Sequence, residues 1–296
     1  MMYNNASTPD TSSSNGGAAS INCYNEWGVG IATINGISFA INTFHLIIIS
    51  RMPSLKGRPY KYILIHITLA DMCSAALLIW VYSCLEAFVR VVKLTSKFPI
   101  VLNMVSWPID TSHWIFLVAG IEQYYSICKP LVYESSRFVD KLPLIMILTW
   151  VISFCWTIVY VVVGMVVDPS TAVVPSWWRH IYTTVNYLPL ILAAIPLTMV
   201  IKELTKMRKK TLAANQRQSL RASVYLIIIY MIFTVFGLFS FVTTYIHIVN
   251  HTLLKFPAQR LRNISKAFYG ILNTVIYGFR TKAYRQEIRK LLGKEN

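Results

Sequence analysis

Charge is what this sequence has least of. Only 14% of its 296 residues are Asp, Glu, Lys or Arg, against roughly a quarter in soluble domains. Acids are the scarcer sign, with 12 against 28 basic residues and a net charge of +16. Five cysteines, at 23, 73, 84, 128 and 155, make no Cys-x-x-Cys and no Cys/His group, so no metal centre is expected. There is no Gly-rich phosphate loop, no His-Glu-x-x-His and no Gly-x-Ser-x-Gly. No catalytic constellation is visible, and the chain is not expected to be an enzyme or to carry a cofactor. The first 27 residues hold neither Lys nor Arg and no early apolar core, which gives no expectation of a cleavable signal peptide.

What the chain has in abundance is apolar length. Seven apolar runs cover 28–50, 62–88, 99–127, 142–167, 181–204, 221–249 and 259–279. Each is close to the ~20 residues that cross ~30 Å of hydrocarbon. The seventh is the weakest, because Arg260, Arg262 and Lys266 crowd its start. The expected fold is an all-α integral membrane protein: a seven-transmembrane helix bundle over 28–279. A Ser-, Asn- and Thr-rich tail at 1–27 reads as disordered. The closing stretch, 280–296, reads as a short amphipathic eighth helix and tail, with Ala283, Tyr284, Ile288, Leu291 and Leu292 on one face and basic residues on the others.

The positive charge lies in the segments between apolar runs. Those after runs one, three, five and seven hold 20 Lys and Arg, and the tail with the other loops holds 8. The bias places the first set in the cytoplasm and the amino terminus outside. It is a topology signal, so a nucleic-acid partner is not expected; the partner implied is the lipid bilayer. Three glycosylation sequons, at Asn5, Asn250 and Asn263, fall in or beside segments placed outside.

One acid stands out. Asp71 lies about nine residues inside the second run, roughly 14 Å deep at ~1.5 Å per residue. An ionised carboxylate at that depth costs several kcal/mol without partners or water, and marks a functional site by default. Asn42, Ser112 and Asn273 fall at comparable depth in runs one, three and seven. With Asp71 they form a polar layer whose oxygens would hold a sodium ion or a proton. The alternative is a set of unrelated interhelical hydrogen bonds. His45, His66 and His113 are read as buried, hydrogen-bonded residues rather than ligands.

Several stretches together resemble the rhodopsin-like (class A) G-protein-coupled receptors. They are Asn42, Leu69-Ala70-Asp71, Trp150, Pro189 and Asn273-Thr274-Val275-Ile276-Tyr277. Glu122-Gln123-Tyr124, followed by Pro130-Leu131-Val132-Tyr133, resembles the family's acid-Arg-Tyr motif and the Pro-Leu-x-Tyr after it. The resemblance spans about 28–294 and implies a multi-pass plasma-membrane receptor. It implies a heterotrimeric G protein contacting Glu122, Gln123, Tyr124, Pro130, Leu131 and Tyr277, and an extracellular ligand of unidentified chemistry. Trp80, Glu86, Val105, Tyr245, Lys266 and Tyr269 would line the ligand pocket, an aromatic, mixed-charge site suited to a peptide or small polar molecule.

The departures from the family pattern are specific. Gln123 replaces its Arg, which makes a weakly coupling or non-coupling receptor-like protein the alternative. Thr274 replaces the span-seven Pro, so that helix is expected to be less kinked. Gly237 stands where the family has a pivoting Trp. The family's disulfide is missing, and a Cys23–Cys84 bond is an open alternative. An amine ligand is disfavoured, because Val105 stands at the amine-anchoring position and Asp110 is five residues deeper. Lys266 is one place from the retinal-linked Lys of the opsins, a rotation of ~100°, so an opsin is disfavoured too. A transporter would be marked by paired broken helices, and none is apparent.

Overall fold

A computed structural model describes residues 16–56, 59–83, 107–135, 137–167, 175–207 and 282–293, with short stretches between 224 and 275. Among these residues there are helices and no strand. In chain order, α1 is Gly16–Arg51, α2 Pro59–Ser83, α3 Trp107–Cys128, α4 Pro130–Ser135, α5 Phe138–Val167, α6 Ser176–Met207 and α7 Lys282–Leu291. A short 3₁₀ turn, Pro53–Leu55, joins α1 towards α2.

Four of these helices are long and apolar enough to cross a membrane: α1 from Gly28, α2 to Tyr82, α5 and α6. Their packing is inverted relative to a soluble domain. In α5, Ile147 is 55% exposed and Ile152 53%, while Thr149, Ser153 and Thr157 are buried. In α6, Ile191 and Ile195 face out while Asn186 is buried. Such faces suit hydrocarbon, where small polar residues turn towards neighbouring helices. Hydroxyls that must face out bond their own helix: Thr43 donates to the Phe39 carbonyl (2.8 Å) and Thr205 to the Ile201 carbonyl (2.8 Å).

The helix α3 is long enough, at 22 residues, to span ~30 Å, but it is more polar than the other four. It carries Asp110, His113, Glu122 and Gln123, all buried. It packs against α2, α5 and α6. A helix enclosed by other helices need not offer an apolar face to lipid, so polar residues are tolerated along it. Ile115, Phe116 and Ala119 of α3 join Ile63, Ile67 and Ala70 of α2 and Leu190, Ala193 and Leu197 of α6 in one apolar core.

Helix boundaries differ from the sequence expectation in identifiable ways. The first helix begins at Gly16, not at 28. The 16–27 segment, expected as disordered tail, is therefore helical; Ala18, Ala19 and Ile21 let the first turns extend backwards. The helix α7 turns only part of its apolar face inward, with Leu291 and Leu292 exposed. Tyr284 is buried and α7 packs on α1, with Arg285, Arg289 and Lys290 exposed. The sixth apolar run is described in part, including helical residues within Tyr230–Phe239. The seventh is helical at 267–272.

Candidate functional site

Asp71 projects from α2 into a cavity of about 40 Å³. The walls come from six elements: Asn35 and Ser38 of α1, Ser74 of α2, Ser112 and His113 of α3, Tyr187 of α6, and Phe236 and Tyr269 of the last two apolar runs. A water needs roughly 10–15 Å³ on this measure. The space therefore suits two or three waters, or a small cation with a water. No Lys or Arg is among the described lining residues. The cavity leaves room beside the carboxylate for water, a proton or a small cation. Carboxylate, hydroxyl and amide oxygens form a hard donor set, the type that binds group I and II cations.

The local chemistry keeps these oxygens in place. Ser112 donates to the Pro108 carbonyl (3.2 Å), which points its oxygen lone pairs away from its own backbone. Asn35 donates its amide to the Ile31 carbonyl (2.8 Å). Asn42 donates to the Ser38 carbonyl (2.9 Å) and lies within 3.3 Å of the Ser38 hydroxyl. Its own oxygen accepts from Thr274 (3.1 Å). Gly270 makes this closeness achievable. A Cβ there would lie 3.0 Å from Ser38 Oγ, 3.1 Å from Asn42 Nδ2 and 3.5 Å from Asp71 Cβ.

The residues picked out for the polar layer are thus placed as follows. Asp71 and Ser112 share the cavity, and Asn42 stands beside it, tied to Ser38 and Thr274. Asn273 lies outside the described residues. Asn35, Ser38, Ser74 and His113 were not singled out for the layer. The signal was present in the spacing: Asn35, Ser38 and Asn42 recur at three and four residues along α1, and Asp71 and Ser74 at three along α2, which puts each set on one face. The hydroxyl of Thr274 has a role beyond relaxing a kink, since it is the donor to Asn42.

At the Cys128 end of α3, Glu122 is buried and fully engaged. Tyr133 of α4 donates its hydroxyl to Oε1 (2.7 Å), and the neighbouring Gln123 amide donates to Oε2. Burial first, and then the Glu122 charge, push the Tyr133 hydroxyl well above the usual tyrosine range. The turn of α4 that sends Tyr133 inward leaves Pro130 exposed and Leu131 83% exposed. Tyr124 packs with Ile127, Val200 and Leu204, joining α3 to α6. Tyr277 lies outside the described residues.

The six residues grouped as a ligand pocket are not seen together. Trp80 is exposed at the end of α2, and Tyr245 sits against His180 (4.9 Å between ring centroids). Tyr269 is buried and lines the Asp71 cavity. Glu86, Val105 and Lys266 lie outside the described residues, as do Asn5, Asn250, Asn263 and Cys84. For Cys23 only the backbone is described.

A second buried carboxylate is built differently. Asp110 Oδ2 accepts from Tyr182 (2.8 Å) and Asn186 (2.9 Å) of α6, and Thr157 of α5 meets the Tyr182 hydroxyl at 3.2 Å. Rings of Tyr160 and Trp156 pack against Tyr182. The three histidines in the apolar runs are also engaged: His45 with Tyr284 (2.9 Å), His66 accepting from Trp150 (3.0 Å) and His113 against the Tyr187 ring.

No family model matches the chain, and no curated protein matches it.

Proposed function

We propose that this protein is a divergent rhodopsin-like receptor with seven membrane spans, in the plasma membrane with its amino terminus outside. It transmits the binding of an extracellular ligand to a heterotrimeric G protein. The observation that carries this reading is the Asp71 cavity. It is a small chamber of mixed polar and apolar walls, without a described Lys or Arg among them, placed where α1, α2, α3, α6 and the last two apolar runs meet. A sodium ion or proton there adds charge at the junction of helices that would move relative to one another. It therefore biases one arrangement over another by its difference in affinity.

The second support is the end of α3. Glu122, Gln123 and Tyr133 are joined inside, while Pro130 and Leu131 are presented outside. An exposed apolar residue beside a buried polar latch is a surface a cytoplasmic partner can bind while changing the latch. Separation of α6 and the sixth run from α3 would open the crevice bordered by Tyr124.

One observation favours a weakly coupling receptor-like protein instead. The Gln123 amide is spent on Glu122, and an amide brings no positive charge to the crevice. Nucleotide exchange on a panel of G proteins, with surface-confirmed protein and a ligand screen, separates the readings. The receptor reading expects ligand-dependent exchange that Asp71→Asn alters. Exchange absent from every G protein, with a ligand shown to bind, supports the non-coupling form. Substrate flux in proteoliposomes with no exchange would contradict both.

A further inference from the structure

The chamber has an end that the polar layer does not explain. Tyr187 of α6 lines it, together with Gly237 of the sixth run. A side chain at 237 would crowd Leu190: a Cβ there would lie 2.9 Å from Leu190 Cδ2 and in ordinary contact, 3.8 Å, with Tyr187 Cε1. The half-buried Tyr187 ring thus sits over a position whose neighbour offers nothing but a hydrogen.

That ring is also the meeting point of a continuous aromatic row. On one side it lies 4.7 Å from the His113 ring, itself a wall of the chamber. On the other it lies 5.2 Å from Phe241, edge-on. Phe241 is 5.9 Å from Tyr245, and Tyr245 is 4.9 Å from His180, near the start of α6. Every step falls in the 4.5–7 Å range of interacting ring pairs. The row runs from the beginning of α6 to the chamber that holds Asp71, and Tyr187 is its member nearest the cavity on α6.

We propose that Tyr187, seated over Gly237 between His113 and Phe241, is the ring that closes the Asp71 chamber toward the Phe241–Tyr245–His180 row and controls passage of water and small cations through that end. This rests on the reading of the Asp71 cavity as a switch site. It adds a residue on α6 through which displacement of Tyr245 or Phe241 reaches Asp71. A ring held by two ring contacts has one settled position, and its release uncovers the chamber.

The test measures access to the chamber directly. Ser38→Cys places a thiol in its α1 wall, and purified full-length protein is labelled with 2-aminoethyl methanethiosulfonate, a small water-borne cation. Mass spectrometry of the peptide containing position 38 gives the rate. Adding Tyr187→Ala should raise that rate about tenfold, the factor carried by two lost ring contacts. Tyr187→Phe, which keeps the ring, should stay closer to the parent rate than Tyr187→Ala does. Phe241→Ala, which removes one of the ring contacts, should raise the rate by about threefold. Equal rates with and without the Tyr187 ring would overturn the proposal. If Tyr187→Ala yields no folded protein, Phe241→Ala decides, and a rate at or below the parent's would overturn it. Labelling reads access and not signalling, so failure here leaves the nucleotide-exchange result for the receptor reading intact.

Discussion

Asp71 and Asp110 are the same residue type, both buried among helices, and the protein treats them in opposite ways. Asp110 is packed tight. Two protein donors, Tyr182 and Asn186, converge on one of its oxygens, and aromatic rings wall them in. Asp71 opens on a cavity with small hydroxyls and amides around it. A carboxylate met by fixed donors acts as a bolt, here between α3 and α6 with Thr157 of α5 attached. A carboxylate that borders a cavity responds also to what enters it. What separates structure from switch is the space around the charge.

The largest expected effect comes from removing the bolt. Asp110→Ala leaves the Tyr182 hydroxyl and the Asn186 amide buried without their acceptor, and should cost about 3 kcal/mol. Asp71→Ala should cost about 1 kcal/mol, because water can fill a polar cavity that already has room. Thermal unfolding of the purified protein in one detergent measures both. Equal losses would break the comparison.

A smaller effect sharpens it from the side of the chamber wall. Thr274→Val removes the donor to Asn42 and keeps the shape, and should cost about 1 kcal/mol. The same unfolding assay reads it, and no loss would mean that the wall does not depend on this bond.

Glu122 extends the comparison to a third carboxylate, held by protein donors like Asp110 but near the end of its helix. Its partner Tyr133 has a hydroxyl held above the usual range by burial and by the Glu122 charge. The folded protein keeps that proton where an unfolded chain would lose it. The stabilisation is complete below about pH 10 and is lost as pH rises beyond it. Unfolding midpoints should therefore fall less steeply with alkaline pH in Tyr133→Phe than in the parent. Parallel slopes would show that Tyr133 does not carry the dependence.

These contrasts also mark what the sequence made legible. Long apolar runs make four helices long and apolar enough to cross a membrane plainly legible, because length and composition alone decide that. The depth of Asp71 is readable from the apolar run, and Ser112 lines the same cavity. Asn35, Ser38 and Ser74 were readable from helical spacing, but Ser and Asn are so commonly bonded to their own helix that spacing alone does not select them. Asp110 shows what spacing cannot supply. Its donors Tyr182 and Asn186 are more than 70 residues away along the chain, and their convergence depends on how α3 lies against α6. Gly237 read as a missing ring; only the packing of Tyr187 and Leu190 showed what stands over it.

The central claim is that the Asp71 chamber holds a small cation that biases the protein's conformation. Its most direct test is the unfolding midpoint of the purified protein across a sodium chloride series, with choline chloride holding ionic strength constant, for the parent and for Asp71→Asn. A ligand that binds only the folded protein raises stability as its concentration passes its dissociation constant. Sodium should raise the midpoint of the parent and leave Asp71→Asn unmoved. A parent indifferent to sodium, or a variant that responds as the parent does, would contradict the claim.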